Sequence, residues 1–232
     1  MITVRKAAAR GVTRFPWLDS RHSFSFGGYV DSAHVHWGEL RVINDDRIKG
    51  GGGFPPHSHR DMEIVTYMVA GTLAHEDSTG GRETIGAGEV QRMTAGTGIT
   101  HSEFNASKTE DARLLQIWLL PDADGHAPGY EQKRFSREAK AGKLLPVASG
   151  RGLPGALDIH QDADIFASVL AKGDAVRHDM APGRRAWVQV VDGTIEVNGQ
   201  TLAEGDGAAI ADEGRIEFTS REGAEFLLFD LA

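Results

Sequence analysis

The chain has 232 residues and no cysteine. Disulfides and thiolate metal sites are thereby excluded, and any bound metal must be held by histidine and carboxylate. Long hydrophobic runs are missing too. No apolar stretch reaches the roughly 18 residues that a membrane span needs. Residues 1–17 lack the continuous apolar core of a secretory leader. A surplus of positive charge is also absent: 25 Lys and Arg stand against 33 Asp and Glu, for a net charge of -8. That balance argues against direct, phosphate-driven binding of nucleic acid. Together these absences predict a cytoplasmic protein with neither membrane nor nucleic-acid partners.

Hydrophobic residues make up 40% of the chain, so a globular core is expected. Strong helical periodicity is scarce. Glycine is abundant, and short runs rich in Val, Ile, Leu and aromatics recur between Gly, Asp and Asn. Predicted strands are Glu39–Ile43, Ile64–Val69, Val90–Met93, Leu114–Leu119, Ala186–Val191, Thr194–Val197, Ala208–Ile210 and Ala224–Leu228. The polar stretch Tyr130–Lys143 predicts a short helix or linker, and Pro146–Pro154 a loop. A repeat organises these elements. Val69-Ala70-Gly71-Thr72-Leu73 with Gly86-Ala87-Gly88-Glu89 is echoed by Val191-Asp192-Gly193-Thr194-Ile195 with Ala203-Glu204-Gly205-Asp206. Duplicated units of this kind imply two related β-barrels joined near residues 122–157.

Chemistry concentrates in the first copy. His57-Ser-His59 is followed by Glu63, and His101-Ser-Glu103 follows a Gly-rich turn, Ala95-Gly96-Thr97-Gly98. Side chains at i and i+2 of a strand share a face. Two such pairs on neighbouring strands would gather His57, His59, His101 and Glu103 around one ion. A donor set of N and O suits Fe, Mn, Co, Ni, Cu or Zn. Four protein ligands leave up to two positions open on a six-coordinate ion. Glu63 is either a further ligand or, by preference, a carboxylate that supports one. His34-Val35-His36 has the same spacing without a matching pair and is read as a decoy. Gly96-Thr97-Gly98 lacks the third glycine and helix of a dinucleotide loop, so it reads as a tight turn. Asp45-Asp46 reads as turn capping rather than a second cation site. His22, His75, His126, His160 and His178 read as surface or structural.

The second copy lacks this set. Aligning Gly71 with Gly193 puts Asp179, Ala181 and Arg185 at the positions of His57, His59 and Glu63. Aligning Gly88 with Gly205 puts Phe218 at the position of His101. The second barrel is therefore expected to carry no ion.

Several segments resemble the pirin family of cupins. They are Arg21-His22-Ser23-Phe24-Ser25-Phe26, Leu40-Arg41-Val42-Ile43-Asn44-Asp45-Asp46, Pro56-His57-Ser58-His59-Arg60-Asp61-Met62-Glu63 and Thr94 through Glu103. Gly51–Gly71 looks like the first cupin motif and Gly86–Asn105 like the second. The resemblance implies an all-β bicupin, with two antiparallel β-barrels of the jelly-roll type and a short connecting helix. The domains expected are a metal-binding barrel at 1–130, a linker at 131–157 and a barrel without ligands at 158–232. It implies one metal, Fe(II) by preference, on His57, His59, His101 and Glu103. It also implies quercetin 2,3-dioxygenase activity in the bacterial branch, on a flavonol and O2 with release of carbon monoxide. Glu103 is then the catalytic carboxylate that takes the proton of the flavonol hydroxyl. The alternative is a non-catalytic, redox-sensing regulator that binds a protein partner, since a nuclear member acts in transcriptional co-regulation.

Overall fold

The computed structural model describes Met1–Ala232 in full. The chain divides into two compact units. The N-terminal unit is Gly11–Arg134 with Ile159–Gln161, and the C-terminal unit is Met1–Arg10, Phe135–Asp158 and Asp162–Ala232. No helix is long and apolar enough to cross a membrane.

In the N-terminal unit a seven-stranded sheet runs in the order Gly129–Arg134, Glu89–Thr94, Glu63–Ala70, Ala112–Leu119, Leu40–Ile48, Leu18–His22 and Gly11–Phe15. A four-stranded sheet has the order Gly53–His59, Ile99–Asn105, Thr72–Asp77 and Arg82–Gly86. Every pairing in both sheets is antiparallel. Leu18, Ile48, Met68 and Leu114 of the large sheet pack on Leu73 and Ile85 of the small one, so the sheets face each other across an apolar layer. Each such fully buried side chain contributes about 1.5–3 kcal/mol relative to exposure. The sheets form a jelly-roll sandwich and do not close into the expected barrel.

The C-terminal unit is built on a ten-stranded sheet. Its longest strand, Arg185–Val197, continues through what the sequence divides into two strands. The strand Ala163–Leu170 is buried along its whole length, so the sequence shows no alternation by which to find it. The core gathers Phe166, Val188, Val190, Phe218, Phe226 and Leu228. The turn glycines of the two copies take matching left-handed conformations: φ is +73° at Gly71 and +75° at Gly193, +81° at Gly88 and +77° at Gly205.

The observed organisation departs from the expected one: Phe135–Asp158, expected as mostly linker, belongs to the C-terminal unit, and Ile159–Gln161, expected in the second barrel, belongs to the N-terminal unit. Residues 1–10 belong to the C-terminal unit, because Ile2–Arg5 forms an edge strand on Gly207–Ala211. The polar segment after Pro128 is an edge strand, Gly129–Arg134, whose charges suit an exposed edge. The helix that follows is one turn, Arg137–Lys140, capped by the Ser136 hydroxyl accepting from Ala139 N–H. Within the expected loop, Leu145–Ser149 is a strand, and Pro146 sits beside a bulge that tolerates its missing N–H.

Candidate metal centre

The strand Ile99–Asn105 buries Ile99, His101, Glu103 and Asn105 and exposes Thr100 and Phe104. This alternation turns His101, Glu103 and Asn105 inward together. Its neighbour, Gly53–His59, places His57 opposite His101 but Phe54 opposite Glu103. The extra residue lies at Pro55-Pro56, which have no N–H to give the ladder. The three imidazoles of His57, His59 and His101 converge with ring centroids 4.5–4.9 Å apart. Their ligand atoms lie within 4.8 Å of one another. The carboxylate of Glu103 falls within the same span of His101 and His75.

Hydrogen bonds set which atoms are available. His57 Nδ1 is 2.9 Å from the Pro55 carbonyl, so it donates there and leaves Nε2 as a lone-pair donor. Gln116 Nε2 donates to Glu103 Oε2 at 3.0 Å and is itself fixed by Thr66. His101 Nε2 and Glu103 Oε1 are buried with no partner in the protein. Two orphaned buried polar atoms cost about 1–3 kcal/mol each, and a cation between them would satisfy both. Burial, reinforced by the neighbouring His57, pushes His59 down to about 4. Burial and the imidazoles of His57, His59 and His75 push His101 down to about 3. Both rings are therefore neutral at pH 7, as metal ligands must be. Burial pushes Glu103 up to about 7; the Gln116 bond opposes this and Asp46 adds to it.

The cluster borders a cavity of about 450 Å³, within the range of small-molecule sites. Leu18, Phe26, Phe54 and Trp118 give it apolar walls. A polar row closes one side: Thr13 bonds His22 Nε2 at 2.8 Å and His22 Nδ1 meets Asn44 Oδ1 at 2.7 Å. Asp46 also faces this cavity, with Oδ1 unpartnered. Burial pushes its carboxyl up to about 7, against the Ser20 bond and with the help of Asp45. Asp45 points elsewhere, into a bidentate pair with Arg113 at 2.9 and 3.0 Å, so Asp45-Asp46 is neither a turn cap nor a joint cation site.

The other sequence candidates fall outside the cluster. Glu63 is fully buried but accepts from Thr94 Oγ1 at 3.1 Å and contacts His160 Nδ1 at 3.2 Å. His34 pairs with Asp31, and His36 Nδ1 donates to the Gly38 carbonyl. His126 stacks on His160 and pairs with Asp122. Gly96-Thr97-Gly98 is a turn, closed by Gly98 N–H on the Ala95 carbonyl. Sequence reasoning missed two histidines. His22 lies in the cavity wall, and His75 lies against His101 with its side chain fully buried. The signal for His75 was present: Leu73, His75 and Asp77 alternate along one strand as His57 and His59 do.

Comparison with known proteins agrees with this architecture. The family model Pirin matches residues 3–119, and the model Quercetinase C-terminal cupin domain matches residues 146–231. A quercetin 2,3-dioxygenase of Escherichia coli (strain K12) is 47% identical over 231 residues, covering 100% of this chain and 99% of its own. A pirin-like protein of Caulobacter vibrioides is 41% identical, with 93% of each chain covered. Among solved structures, bacterial pirin YhhW of Escherichia coli in complex with nickel(II) superposes with a TM-score of 0.95 at 45% identity, covering 100% of this chain and 99% of that one. On both sequence and structure, this chain belongs to the pirin family.

Proposed function

We propose that this protein is a metal-dependent dioxygenase that cleaves flavonols of the quercetin type with O2, releasing one carbon of the central ring as carbon monoxide. The observation that carries the reading is a cluster of three imidazoles beside a buried carboxylate, with His101 Nε2 and Glu103 Oε1 unpartnered, opening on an aromatic-walled cavity. His57, His59, His101 and Glu103 would hold the ion, with iron(II) first and zinc, nickel, cobalt, manganese or copper as alternatives. When bound, the ion supplies Lewis acidity that lowers the pKa of a coordinated hydroxyl.

The chain's own groups do the rest. Phe26, Phe54 and Trp118 form walls that suit a planar aromatic and exclude water from it. Gln116 holds one carboxylate oxygen of Glu103 and leaves the other directed to the cluster. Glu103 Oε1, without a partner in the protein, is the carboxylate oxygen placed to take the proton of the flavonol hydroxyl. The polar row of Thr13, His22 and Asn44 offers hydroxyl and amide partners to the substituents of a polyhydroxylated ring.

Oxygen uptake and carbon monoxide release with quercetin are the test, comparing metal-loaded protein, apoprotein and free metal. Loaded protein should turn over well above both controls. A rate no greater than that of free metal, with quercetin and with other flavonols, would overturn the proposal. A metal-dependent regulator that binds a protein partner would then be the reading to pursue.

A further inference from the structure

Behind His101 lies a second, fully buried group of side chains that the proposed reaction does not use. His101 Nδ1 is 3.4 Å from His75 Nδ1, and His75 Nε2 is 3.1 Å from Asp77 Oδ2. The side chains of His75 and Asp77 are both completely buried. The other oxygen of Asp77 accepts from Thr79 N–H at 2.8 Å, Thr79 Oγ1 at 2.6 Å and Gly81 N–H at 3.2 Å. The carboxylate is therefore fixed from outside the histidine chain. Gly81 lets the turn close on it, since a Cβ there would sit 2.7 Å from Asp77 Oδ2. Tyr130 covers the far side of His75, with ring centroids 4.9 Å apart.

With both rings neutral, one placement of protons is compatible with all of these contacts, the single lone pair of His75 Nδ1 being shared between two donors at 3.4 Å. Gln91 Nε2, an amide that can only donate, lies 3.4 Å from His75 Nδ1. His75 Nδ1 is thus an acceptor, and the ring carries its proton on Nε2, where Asp77 accepts it. The same acceptor faces His101 Nδ1, so His101 donates from Nδ1 and its lone pair is on Nε2. That nitrogen is the buried atom left without a partner. The opposite tautomer of His101 would bury an unpaired N–H at Nε2 and set two lone pairs against each other at Nδ1. His75 itself is not free to bind an ion, because both of its nitrogens are engaged.

We infer that Asp77 and His75 are positioning residues that lock His101 into the tautomer and ring orientation with which it binds the ion. The inference rests on the proposed reading of His101 as a ligand. A carboxylate behind a ligating imidazole fixes its tautomer and raises its basicity; here the effect is passed through one more ring. Asp77 would so act on the ion without touching it.

The test uses the full chain and has readouts other than turnover. In the 15N-labelled apoprotein, long-range 1H–15N NMR should show His101 as the Nδ1–H tautomer and His75 as the Nε2–H tautomer. Nickel(II) affinity, read by chelator competition, should fall about 10–100-fold in His75→Ala and in Asp77→Asn. His75→Gln keeps an acceptor oxygen toward His101 and should recover most of that loss. A His101 found as Nε2–H in the wild-type apoprotein overturns the inference, and that measurement needs no variant to fold. Unchanged affinity in folded His75→Ala and Asp77→Asn overturns it as well, while leaving His101 as a ligand. If wild type bound no nickel, the ligand reading itself would fall, and the role of His75 with it.

Discussion

In the N-terminal unit the strand Ile99–Asn105 presents His101 opposite His57. In the C-terminal unit the strand Arg215–Thr219 presents Phe218 opposite Val176. Both strands follow the same pair of turns with left-handed glycines. The inward face of the first therefore ends in unpartnered polar atoms, and that of the second in Phe218 stacked on Phe226 with centroids 4.7 Å apart. Several charges of the second copy are held in pairs. Asp179, which the sequence alone set in the place of His57 and which the pairing puts three residues further on, bonds Arg215 at 2.7 Å, and His178 Nε2 meets Asp230 at 2.8 Å. Asp230 and Arg184 are also paired directly, and Arg151 pairs with Asp164. One scaffold thus serves two ends. A position that holds an apolar side chain adds to the core, and the same position given to an imidazole gives up that packing for a binding atom.

The sharpest way to break this contrast is to remove one imidazole from each unit. His101→Ala should reduce metal from one ion per chain to background in elemental analysis after loading with nickel(II) or iron(II). His178→Ala should leave the content at one. Retention of a full equivalent in folded His101→Ala would end the assignment of the site to the N-terminal unit.

Stability should show the reverse pattern. Phe218→Ala deletes a fully buried ring from the C-terminal core and should cost about 3–5 kcal/mol in urea unfolding. Metal stoichiometry in the folded variant should not change. A loss under 1 kcal/mol would mean that Phe218 is not the packing counterpart of His101.

Within the N-terminal unit, the two glutamates separate in the same manner. Glu103→Gln removes the one carboxylate of the proposed ligand set and should weaken nickel(II) binding about 10–100-fold. Glu63→Gln keeps a group that can accept from Thr94 and should stay close to wild-type affinity. Equal losses from the two substitutions would return Glu63 to the list of ligands.

These outcomes track what was legible in the sequence. Alternation by two made the convergence of His57, His59 and His101, and the burial of Glu103 on the same face as His101, readable, because a strand face is fixed by parity alone. In the second copy the apolar Phe218 at the position of His101 was readable for the same reason, but its cross-strand partner is Val176 and not the Asp179 that the alignment of turns set in the place of His57. Glu63 was ambiguous because its partner His160 lies far along the chain, in a segment that returns to the N-terminal unit. The strand Ile2–Arg5 was missed since its pairing with Gly207–Ala211 spans nearly the whole sequence. The strand Gly129–Arg134 was hidden by its polar composition, and Ala163–Leu170 by burial on both faces. His75 was legible in parity but not in role, because the meaning of a buried histidine depends on the atom behind it.

The smallest expected effect concerns acid. In the apoprotein the depressed histidines lie in the N-terminal unit: His59 at about 4, His101 at about 3, and His75 lowered by burial against the pull of Asp77. The unfolded chain protonates these rings near 6.5, where the folded one does not. Their contribution is thus fully present above 6.5 and declines as pH falls below it. Asp230 in the C-terminal unit behaves differently. Burial alone would raise it, but His178 and Arg184 outweigh burial and hold it below the usual 3.8. Its contribution is present above 3.8 and lost only as pH falls through the lower folded value. Between pH 6.5 and about 4 the N-terminal histidines therefore lower apoprotein stability, while Glu103 and Asp46, whose folded carboxyls take up protons near 7, raise it over the same window, so the net change is small. Urea unfolding of the apoprotein across that window should show His101→Ala losing less stability, or gaining more, than wild type as pH falls, with Asp230→Asn following wild type. If Asp230→Asn changed the pH dependence across that window and His101→Ala did not, the acid response would belong to the C-terminal ion pairs, and the contrast between the two units would fail on this point.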